Sequence, residues 1–195
     1  SRGLGDVYKR QDKGGAAAAD KSGASGDEEC TPGMTPQIKD DTVSPSQWRD
    51  AEGATFYLSD KSSVDLPQEV GPVPAGQAWM IGSTQVDGVP WLGANTQSPT
   101  MRENIPGDVT WELAGFKGPG PMTVYSQGGL GKIVGDEWFR GNADAAEGTY
   151  SIAPNTHVHP NWVFGAQGTY DVTIRQVAKT GAVSYTHLTL PTKRI

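Results

Sequence analysis

The amino-acid sequence predicts an all-β protein, an immunoglobulin-like antiparallel β-sandwich preceded by a disordered N-terminal segment. Three observations carry this reading. Val109, Trp111 and Leu113 alternate with Thr110 and Glu112, and Tyr170, Val172 and Ile174 alternate with Asp171, Thr173 and Arg175. Period-two alternation puts one side-chain set on a buried sheet face and the other towards solvent. Clusters of Gly, Pro, Asn and Asp interrupt the chain at short intervals, as turns do between the strands of a sandwich. No segment shows a long helical stripe, and no internal repeat is visible.

In chain order, residues 12–37 are rich in Ala, Gly, Ser, Asp and Lys and nearly devoid of large apolar side chains. Such a stretch buries too little surface to offset its ordering entropy, so it is expected to be a flexible spacer. The sandwich is assigned to residues 38–181, long enough for one good core. Within it, strand-like pieces fall at Thr55–Leu58, Ala78–Gly82, Trp91–Ala94, Val109–Ala114, Met122–Ser126 and Ile133–Phe139. Three more follow at Gly148–Ile152, His157–Phe164 and Thr169–Val177. Gly118-Pro119-Gly120-Pro121 reads as a tight loop between two of them. The expected core comprises Trp111, Leu113, Val124, Phe164, Tyr170, Val172 and Ile174.

The two ends are set apart. If Asp6–Gln11 are encoded as GAT GTG TAT AAG AGA CAG, the opposite strand in a shifted frame reads Val-Ser-Tyr-Thr-His and opens a Leu codon, as in Val183–Leu188. Residues 1–11 and 182–195 therefore resemble translated sequencing adapter, and they are expected to add nothing to the fold. His187 is discarded as a functional candidate on that ground. The chain is read as an open-ended piece of a longer protein.

The formal net charge is −6, from 16 basic and 22 acidic residues. Leaving out the ends removes Arg2, Lys9, Arg10, Asp6, Lys193 and Arg194, and leaves 11 basic against 21 acidic residues, or −10. With no basic block, nucleic-acid binding is disfavoured, as is direct adhesion to anionic lipid. No apolar run approaches the roughly 18 residues that span a bilayer, so any membrane attachment is expected through an anchor outside this chain. Cys30 reads as an ordinary thiol of the spacer, its disulfide status open.

The most informative stretch for function is Asn155–Tyr170. His157 and His159 stand two residues apart in an extended segment, so their imidazoles share a face. Paired imidazoles suit a transition metal or a polar ligand. Zinc wants three or four ligands, and Asp136, Glu137, Asp108 and Gln85 are candidate additions. The alternative is that one histidine is a structural hydrogen bonder and the other merely solvated. Trp162 and Asn161 adjoin the pair and are assigned with it to the ligand-binding face. The tryptophans could also form a sugar platform, against which stands their ordinary use in sandwich cores. Gly128-Gly129-Leu130-Gly131-Lys132 lacks the spacing and the Ser or Thr of a phosphate loop. No serine sits in a nucleophile elbow, and no enzyme activity is expected.

Several stretches resemble those of a known family. They are Ile38-Lys39-Asp40-Asp41, Val73-Pro74-Ala75-Gly76, Trp79–Gln85, Val89–Gln97, Val109–Leu113, Gly118-Pro119-Gly120, Glu137-Trp138-Phe139 and the run His157-x-His159-x-x-Trp162-x-Phe164 with Gly168-x-Tyr170. On these, Ile38–Val177 resembles the actinobacterial surface-anchored repeat domain, also called the choice-of-anchor M domain. The resemblance implies an extracellular protein at the surface or wall of a Gram-positive actinobacterium. It further implies an ABC transporter of the manganese/zinc type nearby, whose substrate-binding protein, or else a cell-wall component, would be the partner. Zn²⁺ or Mn²⁺ then becomes the leading ligand of His157 and His159. The expected function is non-enzymatic ligand or metal capture. A structural or adhesive wall module and a carbohydrate-binding module are the alternatives.

Overall fold

The computed structural model describes residues 36–51, 54–129, 132–143, 145–180 and 184–193, with Thr180 and the last segment described through their backbone alone. Most of the expected spacer, with Cys30, lies outside the described residues. The strands are β1 (Gln37–Asp40), β2 (Gln47–Asp50), β3 (Ser63–Leu66), β4 (Gly76–Ile81), β5 (Ala94–Asn95), β6 (Val109–Lys117) and β7 (Met122–Gln127). They continue with β8 (Val134–Gly141), β9 (Ala146–Glu147), β10 (Thr149–Ile152), β11 (His157–Val158), β12 (Asn161–Phe164), β13 (Asp171–Thr180) and β14 (Ser184–Lys193). A short helix, α1 (Pro99–Asn104), is capped by the Ser98 side chain, which accepts from the Met101 amide at 3.2 Å, with proline at its first position.

These strands make the all-β sandwich that the alternation predicts. A six-stranded sheet of order β3-β4-β12-β7-β8-β9 faces a four-stranded sheet of order β10-β6-β13-β14, and two pairs, β1-β2 and β11-β5, complete the described strands. The pairings between strands are antiparallel. Between the sheets lie Leu113, Ile152, Val172 and Ile174 from one side and Ile81, Met122, Val124, Phe139, Trp162 and Phe164 from the other. Six of the seven expected core residues are buried there, and Trp111 packs against them while half-exposed.

A second, smaller core covers the outer face of the six-stranded sheet. Val163 and Tyr125 point outward from β12 and β7 and meet Leu66, Val70, Val73 and Ala78. The segment between β3 and β4 folds over them, closed by a Val70–Val73 bridge. Gly71 at its tip has φ +55, and a Cβ there would lie 2.9 Å from both Thr123 Oγ1 and Glu137 Oε2. This cover explains why β12 is buried throughout and β7 from Met122 to Tyr125, in place of alternation.

In β8 the register slips between Val124 and Tyr125 of its neighbour, so that Phe139 opposes Val124 and Glu137 opposes Tyr125. The extra residue is Trp138. Such a bulge turns two successive side chains to one side, and both Trp138 and Phe139 are fully buried in the main core. Trp138 stacks on Tyr150 at 3.9 Å and donates its indole N–H to Ser126 Oγ at 2.8 Å.

Tyr170 closes the sandwich in the manner of immunoglobulin-like domains, with its hydroxyl turned back on the backbone just upstream. It donates to the Ala166 carbonyl at 2.9 Å and accepts from the Ala166 amide at 3.2 Å. The Gly118–Pro121 loop packs on its ring, and a Cβ at Gly118 would lie 2.2 Å from Tyr170 Cδ1. Burial pushes the phenol pKa up.

Three expectations differ from the structure. Thr55–Leu58 is not a strand, and Trp91–Ala94 reduces to β5, leaving Trp91 in a loop. His157–Phe164 is two strands, because Pro160 has no amide to donate and ends the first pairing. Past residue 181, the expected end of the domain, β14 pairs with β13 along its whole length, from Thr180↔Ser184 to Asp171↔Lys193. An open strand edge presents unpaired amides and carbonyls to any extended chain, and the Thr- and Leu-rich tail has the β propensity to take them.

Candidate functional site

The site forms where the chain leaves one sheet for another. β11 pairs with β5, His157 opposite Asn95 and Val158 opposite Ala94. The approach to β11 is clamped by the buried Thr96. Its hydroxyl accepts from the Thr156 amide at 2.8 Å and donates to the Ala153 carbonyl at 2.9 Å, while its amide donates to the Thr156 carbonyl. Asn155 in the preceding turn has φ 54, a conformation asparagine tolerates better than most residues. Pro160 then sends the chain into β12.

This geometry brings His157 and His159 together as their spacing predicts. Their Nε2 atoms lie 3.1 Å apart, with ring centroids at 4.8 Å. With both rings neutral, one Nε2 donates its hydrogen and the other accepts it. His157 is exposed and His159 half-buried. Trp91 lies flat on His159, with centroids 3.6 Å apart and planes at 6°. On the same ring, Gly93 comes so close that a Cβ would sit 2.6 Å from His159 Nδ1. The imidazole is therefore gripped between an indole and bare backbone, with Nε2 left facing its partner. Its Nδ1 is buried without a hydrogen bond of normal geometry. Burial, followed by the charge of His157, lowers the His159 pKa below the usual imidazole value, while the nearby Leu92 backbone acts in the opposite direction.

Asn161 and Trp162, assigned with the histidines to the ligand-binding face from sequence, are both buried. The Asn161 side chain is buried, accepting from the Ser83 amide at 2.9 Å and donating to Gln127 Oε1 at 3.2 Å. The Ser83 carbonyl in turn receives the Trp91 indole N–H at 3.1 Å. Asn161 thus supports the site from behind, through Ser83 and Trp91 to His159. Trp162 turns into the main core beside Phe139, and its buried indole N–H has no hydrogen-bond partner among the described residues. Asn161 and Trp162 point to opposite faces of β12, and both faces of that strand are covered, so both side chains are buried.

Asp136, Glu137 and Asp108 do not complete a metal shell. Among the described residues, no group of three or more His, Cys, Asp or Glu is placed to hold an ion. Glu137 is engaged by Arg140. At zinc–nitrogen distances of about 2.05 Å, two nitrogens 3.1 Å apart subtend roughly 97° at the metal, between octahedral and tetrahedral angles.

Trp91 and Gly93 were not recognised as site residues from sequence. Both lie on a loop distant in sequence, and only the β5–β11 register brings them to His159. Near the same turn, a groove of about 200 Å³ between α1 and Pro154–Asn155 is lined by Thr96, Met101, Arg102 and Ile105 but by neither histidine. Comparison with family models, curated proteins and solved structures gave no match to the chain.

Proposed function

We propose that this chain is a non-enzymatic cell-surface domain that captures a ligand at the His157–His159 pair, with Zn²⁺ the leading ligand. The observation that carries the proposal is the convergence of two Nε2 atoms at 3.1 Å on a ring whose other sides are packed by Trp91 and Gly93. A pre-positioned donor pair loses little freedom on binding. Of the two ions suggested by the family resemblance, zinc suits the donors better. Imidazole nitrogen is a common zinc ligand, whereas Mn²⁺ favours oxygen-rich octahedral shells. The surface setting and the partnership with an ABC transporter's substrate-binding protein, or with cell-wall components, rest on the resemblance of Ile38–Val177 to the surface-anchored repeat domain.

Titration calorimetry with Zn²⁺ and Mn²⁺ tests the reading. Intact protein should bind zinc at micromolar levels and manganese more weakly, and His157→Ala should abolish the zinc signal. If neither ion binds, alone or with the transporter's binding protein, capture of metal is excluded.

A structural wall module is the second reading. The stacked Trp91 and the histidine–histidine hydrogen bond brace the β5–β11 ledge without any ligand. A third reading, sugar binding, draws on Trp91 and Trp48, which remain 40% and 51% exposed. Glycan arrays with tryptophan emission as readout separate it from the other two.

A further inference from the structure

We infer that a zinc ion held by His157 and His159 is shared between two copies of this chain, each giving both imidazoles to a four-nitrogen shell. This rests on the zinc reading above and adds the partner that completes the site.

The argument is one of coordination. Zinc in a closed site takes four ligands in tetrahedral array. One chain offers two nitrogens, and no third His, Cys, Asp or Glu stands beside them among the described residues. The two occupy one side of the ion at roughly 97°, leaving the opposite side open. With no third such donor among the described residues, that side is open to water or to a second molecule. A second copy supplies the missing number and type, because a two-fold axis through the ion repeats the same pair. Self-complementary two-fold contacts of this kind are the commonest form of protein dimer.

The rim can make such a contact. His157 is exposed on a ledge made of two-residue strands. Beside it Trp91 remains 40% exposed, and Val86 on the same loop 50% exposed. These apolar surfaces would be covered where two rims meet around the ion. The chains carry like net charge and repel at a distance, so association should depend on the cation at the contact. The rigid seating of His159 against Gly93 and Trp91 keeps one donor of each pair fixed as the copies approach.

Sedimentation of the full chain at pH 7.5 tests this, with Cys30→Ser and His187→Ala introduced so that neither of those residues can supply a ligand. Added zinc should double the mass, with the transition complete at one ion per two chains, and a chelator should reverse it. The exposed His157→Ala variant, checked for native circular dichroism, should remain monomeric at the same zinc level. A monomer that binds one zinc per chain overturns the shared shell while leaving zinc capture intact. A dimer that persists in His157→Ala also overturns it. Absence of zinc binding defeats both readings together.

Discussion

Two neighbouring segments of one short stretch are built to opposite rules. His157–His159 lies on a ledge of two-residue strands, and His159 keeps a buried nitrogen without a hydrogen bond of normal geometry among the described residues. Asn161–Phe164 runs through the middle of the six-stranded sheet, with every residue buried and a strand on either side. The same backbone crosses from one to the other at Pro160. Rigidity in the second segment comes from ladders and packing on both faces. In the first it comes from the short β5 pairing, the Thr96 clamp, and the Trp91 indole and Gly93 backbone against the His159 ring. The contrast shows how a sandwich can hold a polar pair firmly at its edge without burying it.

The comparison can be broken most severely from the core side. Phe164→Ala should cost about 3–5 kcal/mol in urea unfolding, as for large aromatic truncations, because Phe164 is 3% exposed between the sheets. A loss below about 1 kcal/mol would mean that β12 is not the centre of the sandwich. At the ledge, Gly93→Ala should cost roughly 1–3 kcal/mol through overpacking, since the new methyl meets His159 and the Val158 carbonyl at 2.6 Å. It should also displace the imidazole, visible as shifted histidine resonances and weaker zinc binding. Unchanged resonances would show that the ring is not gripped there. Tyr170→Phe should cost about 1–2 kcal/mol, because it leaves the Ala166 amide and carbonyl without the hydroxyl that serves both.

Smaller effects sharpen the contrast. His159 has a lowered pKa in the folded chain, so the unfolded state binds more protons as pH falls through its own value of about 6.5. Stability from this group is therefore fully present above that value. It declines as pH drops from there towards the folded pKa, and is constant below. Urea midpoints from pH 8 to 5 should show this decline, and His159→Gln should flatten it. Metal affinity should fall over the same interval, because only neutral imidazole ligates. The least effect is expected for His157→Ala, within about 0.5 kcal/mol as for an exposed residue, despite its loss of ligand binding. A large destabilisation would assign His157 to structure.

Much of the architecture was legible because long strands with one wet face write their burial into the sequence. β6 and β13 alternate plainly, and Leu113, Val172 and Ile174 from them are buried as predicted, with Trp111 half-exposed. β7 and β12 carry no such alternation because a covering loop buries their second face. β5, β9 and β11 span only two residues each, too few for any period to register. Trp138 was hidden by a bulge that breaks the period at the residue it inserts. At the site, the histidine pairing was legible because an i, i+2 relation is local. Trp91, Gly93 and the support from Asn161 depend on contacts between distant segments. Sequence proximity was misleading for Trp162, which follows the pair yet faces the opposite way.

The parallel stack of Trp91 on His159 also equips the edge with an optical probe. A protonated imidazole quenches an excited indole in contact with it, whereas a neutral one does so weakly. With 3.6 Å between the two rings, emission from Trp91 should dim as His159 takes up a proton. Trp138 and Trp162, enclosed between the sheets, should stay bright. The difference spectrum between wild type and Trp91→Phe would therefore follow the charge on one side chain in the unlabelled protein.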